Sequence, residues 1–338
     1  MPELPEVESL RRSLEPVLIG SRINKVVVKR AKIVSSSGTT RQPNPSKVKE
    51  FESVLINQKI IGLNRRAKNI IIELESGNCL LVHLKMTGQL VFVGEDSGEN
   101  SGENLAQNID ESWEVNDYAK EIKNFEITTF RNLTHSKNFV QGGHPIQESE
   151  INLPNKHTYI IWELDNGVLY YNDVRQFGYV LFYQSIEEIE ATGHFEKLGL
   201  EPLDDEFDLD YFGQSLKNKK TVIKKLFLDQ TVVVGLGNIY CDEVCFEAGV
   251  MPTRIANSLS SKEIAKVYNS IKKIIAKAID EGGSSIANYL LADGSRGSYA
   301  KFHNVYGRKG KNCFICNSVL ESCVIGARTT VFCTKCQK

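Results

Sequence analysis

No apolar run in the 338-residue chain is long enough to span a bilayer. The opening residues also lack the basic-then-apolar pattern of a secretory leader. Together these absences exclude a helical membrane protein and lead to the expectation of a cytoplasmic one. A disulfide framework is excluded too, because the eight cysteines are bunched rather than spread. No internal repeat occurs at solenoid periods. A strong net charge is likewise missing, since the formal value is −1. That number conceals a division. Residues 94–151 hold 12 acidic and 4 basic residues, a local −8 that leaves +7 on the rest of the chain. Twelve Lys and Arg face two Glu across residues 21–68, and eight face Glu321 alone across residues 295–338. A basic body carrying an acidic insert is compatible with phosphate binding that the overall charge would hide.

The length favours two or three modules over one. Residues 5–20 read as a helix, with Pro5 suited to the first turn and Gly20 to the stop. Val7, Leu10, Leu14 and Val17 share one face of it. Strand-like segments follow at 25–29, 69–75, 79–84 and 90–93. "KHTYIIWELDNGVLYYND" reads as a hairpin turning at Asp165-Asn166-Gly167, and 179–183 as a further strand. Between them, about 94–154 reads as a solvated, partly disordered acidic insertion, with some β character near "NFEITTFRNLTHSKNFV". Beyond residue 198 the pattern turns helical, over 221–230, 238–248 and 261–281. The basic tail is β-like and carries cysteines.

That tail holds the strongest local signal, Cys313-x2-Cys316-x16-Cys333-x2-Cys336. Two thiolate pairs at this spacing suit one tetrahedral Zn²⁺ held between short knuckles joined by a hairpin. With four protein ligands and no open position, such a metal is structural. Cys79, Cys241, Cys245 and Cys323 are left for core packing. In "VVGLGNIYCDE", Gly235 and Gly237 precede a helix whose free amides suit an anion, although most such turns are only turns. "RRAKNI" brings three cations to a strand, commonly just a solvated face. At the start, Pro2 is small enough to allow removal of Met1, which leaves a secondary amine titrating near ~8. Attack of that amine on an aldehyde-level carbon gives an iminium, an electron sink, and Glu3 beside it can move protons. Taken alone, the same residues are an ordinary proline-led helix.

The combination changes the reading. "PELPEVE", "RRAK", "HLKMTGQL", "DVRQFG", "GLGNIY", "VYGRKG" and the paired cysteines occur in one order along nearly the whole chain, the insert excepted. This resembles the formamidopyrimidine-DNA glycosylase family and, more distantly, endonuclease VIII. The resemblance implies an α+β multidomain protein. A β-sandwich with a flanking helix would occupy residues 1–186, a helix–two-turn–helix DNA-binding domain 198–294, and a zinc finger built on a β-hairpin 295–338. It also implies a monomeric base-excision repair enzyme acting on damaged double-stranded DNA, without an obligate protein partner. Such an enzyme is both a glycosylase for oxidised purines and a lyase at abasic sites.

On that resemblance Pro2 is the nucleophile, Glu3 the acid/base group, and Glu6 a second carboxylate of the pocket. Lys68, Asn238 and Arg328 match phosphate-binding positions, with Lys68 and Arg328 also counted in the catalytic set. Met86, Arg175 and Phe177 match the trio that fills the gap left by an extruded base. Residues 282–294 match the loop that closes over that base. Three departures bear on lesion range. Gln176 and the pair Ala287-Asn288 stand where arginine-bearing sequences are common, so one ionic anchor is expected to be missing, and Lys85 stands where glycine is usual. Two alternatives compete: a damaged-DNA-binding protein without chemistry, and an endonuclease VIII-like glycosylase for oxidised pyrimidines. The joint presence of Pro2, Glu3 and Lys68 weighs against the first. "PELPEVE" without a glycine points away from the second.

Overall fold

The computed structural model describes residues 2–35, 42–94, 139–143, 153–284 and 297–338. Helix α1, Leu4–Leu18, starts one residue earlier than its proline suggests, because Glu6 accepts the Glu3 amide and closes the first turn. Strands β1 (Ile23–Val28) and β2 (Ile60–Arg66) follow, separated by helices α2 (Ala31–Ser35) and α3 (Pro45–Leu55). Strands β3 (Asn69–Leu74), β4 (Cys79–His83), β5 (Gly88–Gly94), β6 (Phe139–Gly143), β7 (Thr158–Leu164), β8 (Gly167–Asp173) and β9 (Tyr179–Tyr183) complete two antiparallel sheets. Their orders are β1-β7-β8-β5-β6 and β2-β3-β4-β9.

Period-two alternation explains how the sheets face each other. Ile70, Ile72 and Leu74 of β3 enter one core with Leu80 and Val82, against Trp162, Leu169, Tyr171 and Phe92 of the other sheet. Ile71 points the opposite way, into a smaller cluster with Leu81, Tyr179 and Ile189. Val7, Leu10, Leu14 and Leu18 lay α1 along the edge of the main core. The expected hairpin forms where the sequence places it, with Leu164 paired to Gly167 across Asp165-Asn166. Asn166 then donates to Val17 O, and Asp165 accepts the Arg22 amide, so the turn is fastened to the end of α1.

Strand β6 corrects the sequence reading of the acidic stretch. Residues 139–143 fall within the expected insertion, yet they form the edge of the five-stranded sheet and pack on α1. Gly142 shows why: a Cβ there would lie 2.3 Å from Leu10 Cδ1, so only glycine lets the helix approach. Residues 95–138 and 144–152 of the insert lie outside the described residues.

A second core gathers the helices α4 (Ile186–Ala191) precedes: α5 (Leu209–Leu216), α6 (Ile223–Asp229), α7 (Asn238–Glu247) and α8 (Ser261–Asp280). Ile271, Ile274, Ile275 and Ala278 form the buried stripe of α8, and Ser260 with Glu263 makes its capping box. Leu4 joins this core from the N-terminus. Strands β10 (Glu321–Ile325) and β11 (Arg328–Phe332) form the terminal hairpin, turning through Gly326 and Ala327 at φ 57° and 59°. Phe246 of α7 packs among Val305, Leu320, Val331, Cys313 and Cys333, which seats the hairpin on the helices. Among the described residues no helix is long and apolar enough to cross a membrane.

Candidate active site

Two glycines allow the start of the chain to lie across the turn before α7. A Cβ on Gly235 would come 2.3 Å from Leu4 Cβ, and one on Gly237 would come 2.3 Å from Glu3 Cδ. The close approach lets Leu4 N donate to Gly235 O at 3.0 Å. It also drives the Glu3 carboxylate onto the N-terminus of α7. Gly237 N reaches Oε2 at 2.7 Å and Ile239 N reaches Oε1 at 2.9 Å, with Tyr240 N at 3.4 Å. By sequence those amides suited an anion, in a turn of a kind that is most often only a turn. Their anion is Glu3.

Glu3 is only 4% exposed. Burial pushes its carboxyl up to about 7, with the nearby Lys68 ammonium opposing the rise and Glu6 adding to it. A carboxyl near 7 exchanges its proton at neutral pH. Pro2, immediately before it, is half-buried. Lys68 is buried in turn and donates to Leu236 O at 2.9 Å. Burial lowers its pKa, while the negative charges of Glu3 and Glu6 hold it up.

Glu6 is fixed from three sides. Its Oε2 accepts the Glu3 amide at 2.8 Å, and its Oε1 accepts the Tyr240 hydroxyl at 2.6 Å and the Ser284 amide at 2.7 Å. Gly283 has φ 81°, and a Cβ there would meet Glu6 Oε1 at 2.6 Å. The Ser284 hydroxyl contacts His303 Nε2 at 2.8 Å, and a bridge between Ser284 and Ser298 closes the neck of the segment between them. Ala287 and Asn288 lie outside the described residues.

Lys68, Asn238 and Arg328 come from three separate parts of the chain and converge. Asn238 Nδ2 donates to Thr329 O at 3.1 Å, one residue after Arg328. The Arg328 charge is felt at Lys68. Arg328 itself is exposed at the start of β11, just past the hairpin turn. The other two cations of "RRAKNI" are spent differently. Arg65 binds Glu8 at 3.0 Å and Glu201 at 2.6 Å, while Arg66 binds Glu201 at 3.0 Å and Gly199 O at 2.6 Å. Glu201 also accepts the Ala67 amide at 2.6 Å, so it clamps the turn that presents Lys68.

Met86, Arg175 and Phe177 meet on the surface. Arg175 Nη1 lies 3.1 Å from Met86 Sδ, and its guanidinium carbon stands 4.5 Å from the centre of the Phe177 ring. Met86 is 39% exposed and Phe177 45%, too open for core residues of that size. Buried Asp173 holds the loop beneath them, accepting from Thr87 Oγ1, the Arg175 amide and the Gly178 amide. Lys85 and Gln176 have φ 50° and 53°, which accounts physically for a usual glycine at the first position. Gln176, where an ionic anchor was expected to be missing, accepts from Arg30 Nε at 3.2 Å, so an arginine from the segment after β1 reaches the same turn.

The four cysteines of the tail also come together. The sulfurs of Cys313, Cys316, Cys333 and Cys336 lie within 4.8 Å of one another, a set that can hold one metal ion. Helix α7 carries groups that sequence reasoning missed. Asp242 pairs with Lys224 at 2.6 Å and accepts the Val331 amide at 3.0 Å. Glu243 accepts the amides of Asn304, Val305 and Tyr306 at 2.8–2.9 Å. The available signal was a pair of acids embedded among Tyr, Cys and Val in "IYCDEVC", a place where unpaired charge does not persist.

Comparison with known proteins gives this arrangement a family. The profile of the formamidopyrimidine-DNA glycosylase N-terminal domain matches residues 1–180, and that of its H2TH domain matches residues 198–289. The chain belongs to the formamidopyrimidine-DNA glycosylase family. Formamidopyrimidine-DNA glycosylases of Carboxydothermus hydrogenoformans and Yersinia enterocolitica are 32% and 33% identical to it, each over the full length of both chains. Among solved structures, a Lactococcus lactis Fpg variant complexed with Fapy-dG containing DNA superposes with a TM-score of 0.75 at 28% identity, covering both chains completely. A complex of Lactococcus lactis Fpg with abasic-site DNA gives 0.73 at 28% identity, covering 99% of each chain.

Proposed function

We propose that this member of the family is a base-excision repair enzyme that removes oxidised purines from duplex DNA and then cleaves the strand as an abasic-site lyase. The observation that carries the reading is the Glu3 seat. An acid beside a prospective N-terminal amine is buried, poised near 7 and locked by three amides. Relatives named as formamidopyrimidine-DNA glycosylases, and Fpg structures holding Fapy-dG and abasic DNA, support the substrate class.

In the proposed reaction the Pro2 nitrogen lone pair forms a bond to the sugar C1′ of an everted nucleotide, the bond from C1′ to the base nitrogen breaks, and the proton shed by the amine nitrogen neutralises the departing base. Glu3 gives its proton to the ring oxygen as the C1′–O4′ bond opens, leaving an iminium. Loss of a C2′ proton sends electrons toward the iminium and expels the 3′ phosphate. A second elimination expels the 5′ phosphate, and hydrolysis returns the free Pro2 amine. Lys68, Asn238 and Arg328 hold the phosphates around the lesion, and Met86, Phe177 and Arg175 fill the vacated space. Zn²⁺ suits the four-thiolate set, where it would hold the knuckles of the hairpin and take no part in the chemistry.

The test is borohydride trapping on duplexes carrying 8-oxoguanine or an abasic site, with the N-terminus defined by mass spectrometry. A covalent adduct mapping to Pro2 is expected. Trapping that is undiminished in Pro2→Gly, or efficient in protein retaining Met1, would reject the assignment.

A further inference from the structure

Met86 and Phe177 each follow a non-glycine residue held in the left-handed backbone region, Lys85 at φ 50° and Gln176 at φ 53°. Glycine would meet no steric cost at either place, so the side chains present need a reason. Both lead to a cation. The Lys85 amide donates to His83 Nδ1 at 3.0 Å, and its ammonium stands 5.5 Å from the centre of the Tyr179 ring. Burial and the positive charges of Lys85 and Lys68 hold the His83 imidazole well below its ordinary value. On the second turn Gln176 donates to the Tyr159 hydroxyl at 2.9 Å and accepts from Arg30 Nε at 3.2 Å. That bond occupies only Nε of an exposed guanidinium, whose terminal nitrogens have four further N–H donors to offer.

We propose that Lys85, and Arg30 presented by Gln176, are phosphate-binding residues that grip the DNA backbone beside the wedge, one at each turn. The inference rests on the reading of the protein as a DNA-repair glycosylase. A wedge that unstacks a base step must hold the displaced backbone, and charge on the same turns couples the two tasks. Lys85 does so directly. Gln176 does so by fixing an arginine brought from the segment after β1.

The experiment measures binding of the zinc-loaded full chain to a duplex bearing a tetrahydrofuran abasic analogue, from 50 to 200 mM KCl. Lys85→Gly and Arg30→Ala should each flatten the log–log salt slope by about 0.9, so affinity falls about 3.5-fold less across that range than in the parent. Lys85→Arg should keep the parent slope. Gln176→Gly should weaken binding alone and add nothing to Arg30→Ala, because it acts through Arg30. Lys85→Gly should melt no lower than the parent, since glycine accepts that backbone. An unchanged slope in Lys85→Gly or Arg30→Ala, or additive losses in the Gln176 and Arg30 pair, overturns the proposal. Incision of an 8-oxoguanine duplex by the parent is followed in parallel. A parent that incises while the variants keep its slope defeats this inference alone. One that binds with the full slope but never incises defeats the glycosylase reading alone.

Discussion

Replacing Glu3 by Gln tests the central electrostatic feature without relying on activity. The carboxyl rises from an ordinary 4.5 to about 7, chiefly through burial, so the folded protein holds that proton more tightly than the unfolded chain. The sign follows directly. The stabilisation from the protonated carboxyl is complete below about 4.5 and is lost as pH climbs to about 7. At 1.36 kcal/mol per unit, that span corresponds to about 3 kcal/mol. Glutamine cannot ionise, so Glu3→Gln lacks this dependence, although it forfeits one acceptor oxygen at every pH. The quantity to measure is therefore the stability difference between parent and variant, by equilibrium urea unfolding at pH 5 and pH 8.5. Loss of the second acceptor is a constant offset that cancels between the two values. The difference should move by about 2.5 kcal/mol in favour of the variant at the higher pH, since pH 5 lies a little above the unfolded value. A difference constant across that range would mean that Glu3 ionises like a surface carboxylate. Its use as a proton donor at neutral pH would then fail with it.

Lys224→Met should cost about 3–5 kcal/mol and weaken DNA binding, because it strands fully buried Asp242, which holds the Val331 amide, and removes the Lys224 bond to Thr329 O next to Arg328. Chemical unfolding checks the first effect and duplex titration the second, and a loss under 1 kcal/mol would contradict it. Cys333→Ser should lose the bound metal, by elemental analysis, and with it most duplex affinity, because Arg328 sits on the hairpin between the cysteine pairs. Full activity in a verified metal-free preparation would overturn that expectation. Exchanging residues 95–138 for a Gly/Ser linker should leave single-turnover excision within a few-fold of the parent. Extending the exchange to residue 151 should lower the melting temperature sharply, since it removes β6 from beneath Leu10. A hundredfold loss from the shorter exchange, with folding intact, would place that stretch in the site.

Elements whose signal is local were legible in the sequence. The apolar stripe of Ser261–Asp280, the Asp165-Asn166-Gly167 turn and the spaced cysteine pairs each announce themselves within a few residues. Ile60–Arg66 did not, because a register shift after Ile60 breaks its alternation and its second half is polar. Phe139–Gly143 was legible only at its start, where the β character read up to Val140 falls on it. Its glycines look like a loop, yet Gly142 is there to let Leu10 approach.

The site divides along the same line. Residue types showed which groups were capable of chemistry, but not which charges the protein would spend on itself. Arg65 and Arg66 look identical in kind to Lys68, and it takes partners distant in sequence, Glu8 for Arg65 and Glu201 for both, to show that they are tied off. The amides before α7 suited an anion of unknown source, and Glu3, 234 positions earlier, already occupies them. Self-occupation has a chemical consequence. A carboxylate that fills the helix N-terminus closes those amides to phosphate, so the proposed phosphate contacts fall to the side chains around it, Lys68, Asn238 and Arg328, while the acid stays fixed next to Pro2. In the proposed reaction, then, the glycine turn would fix a proton donor, and the side chains gathered around it would bring the sugar to that donor.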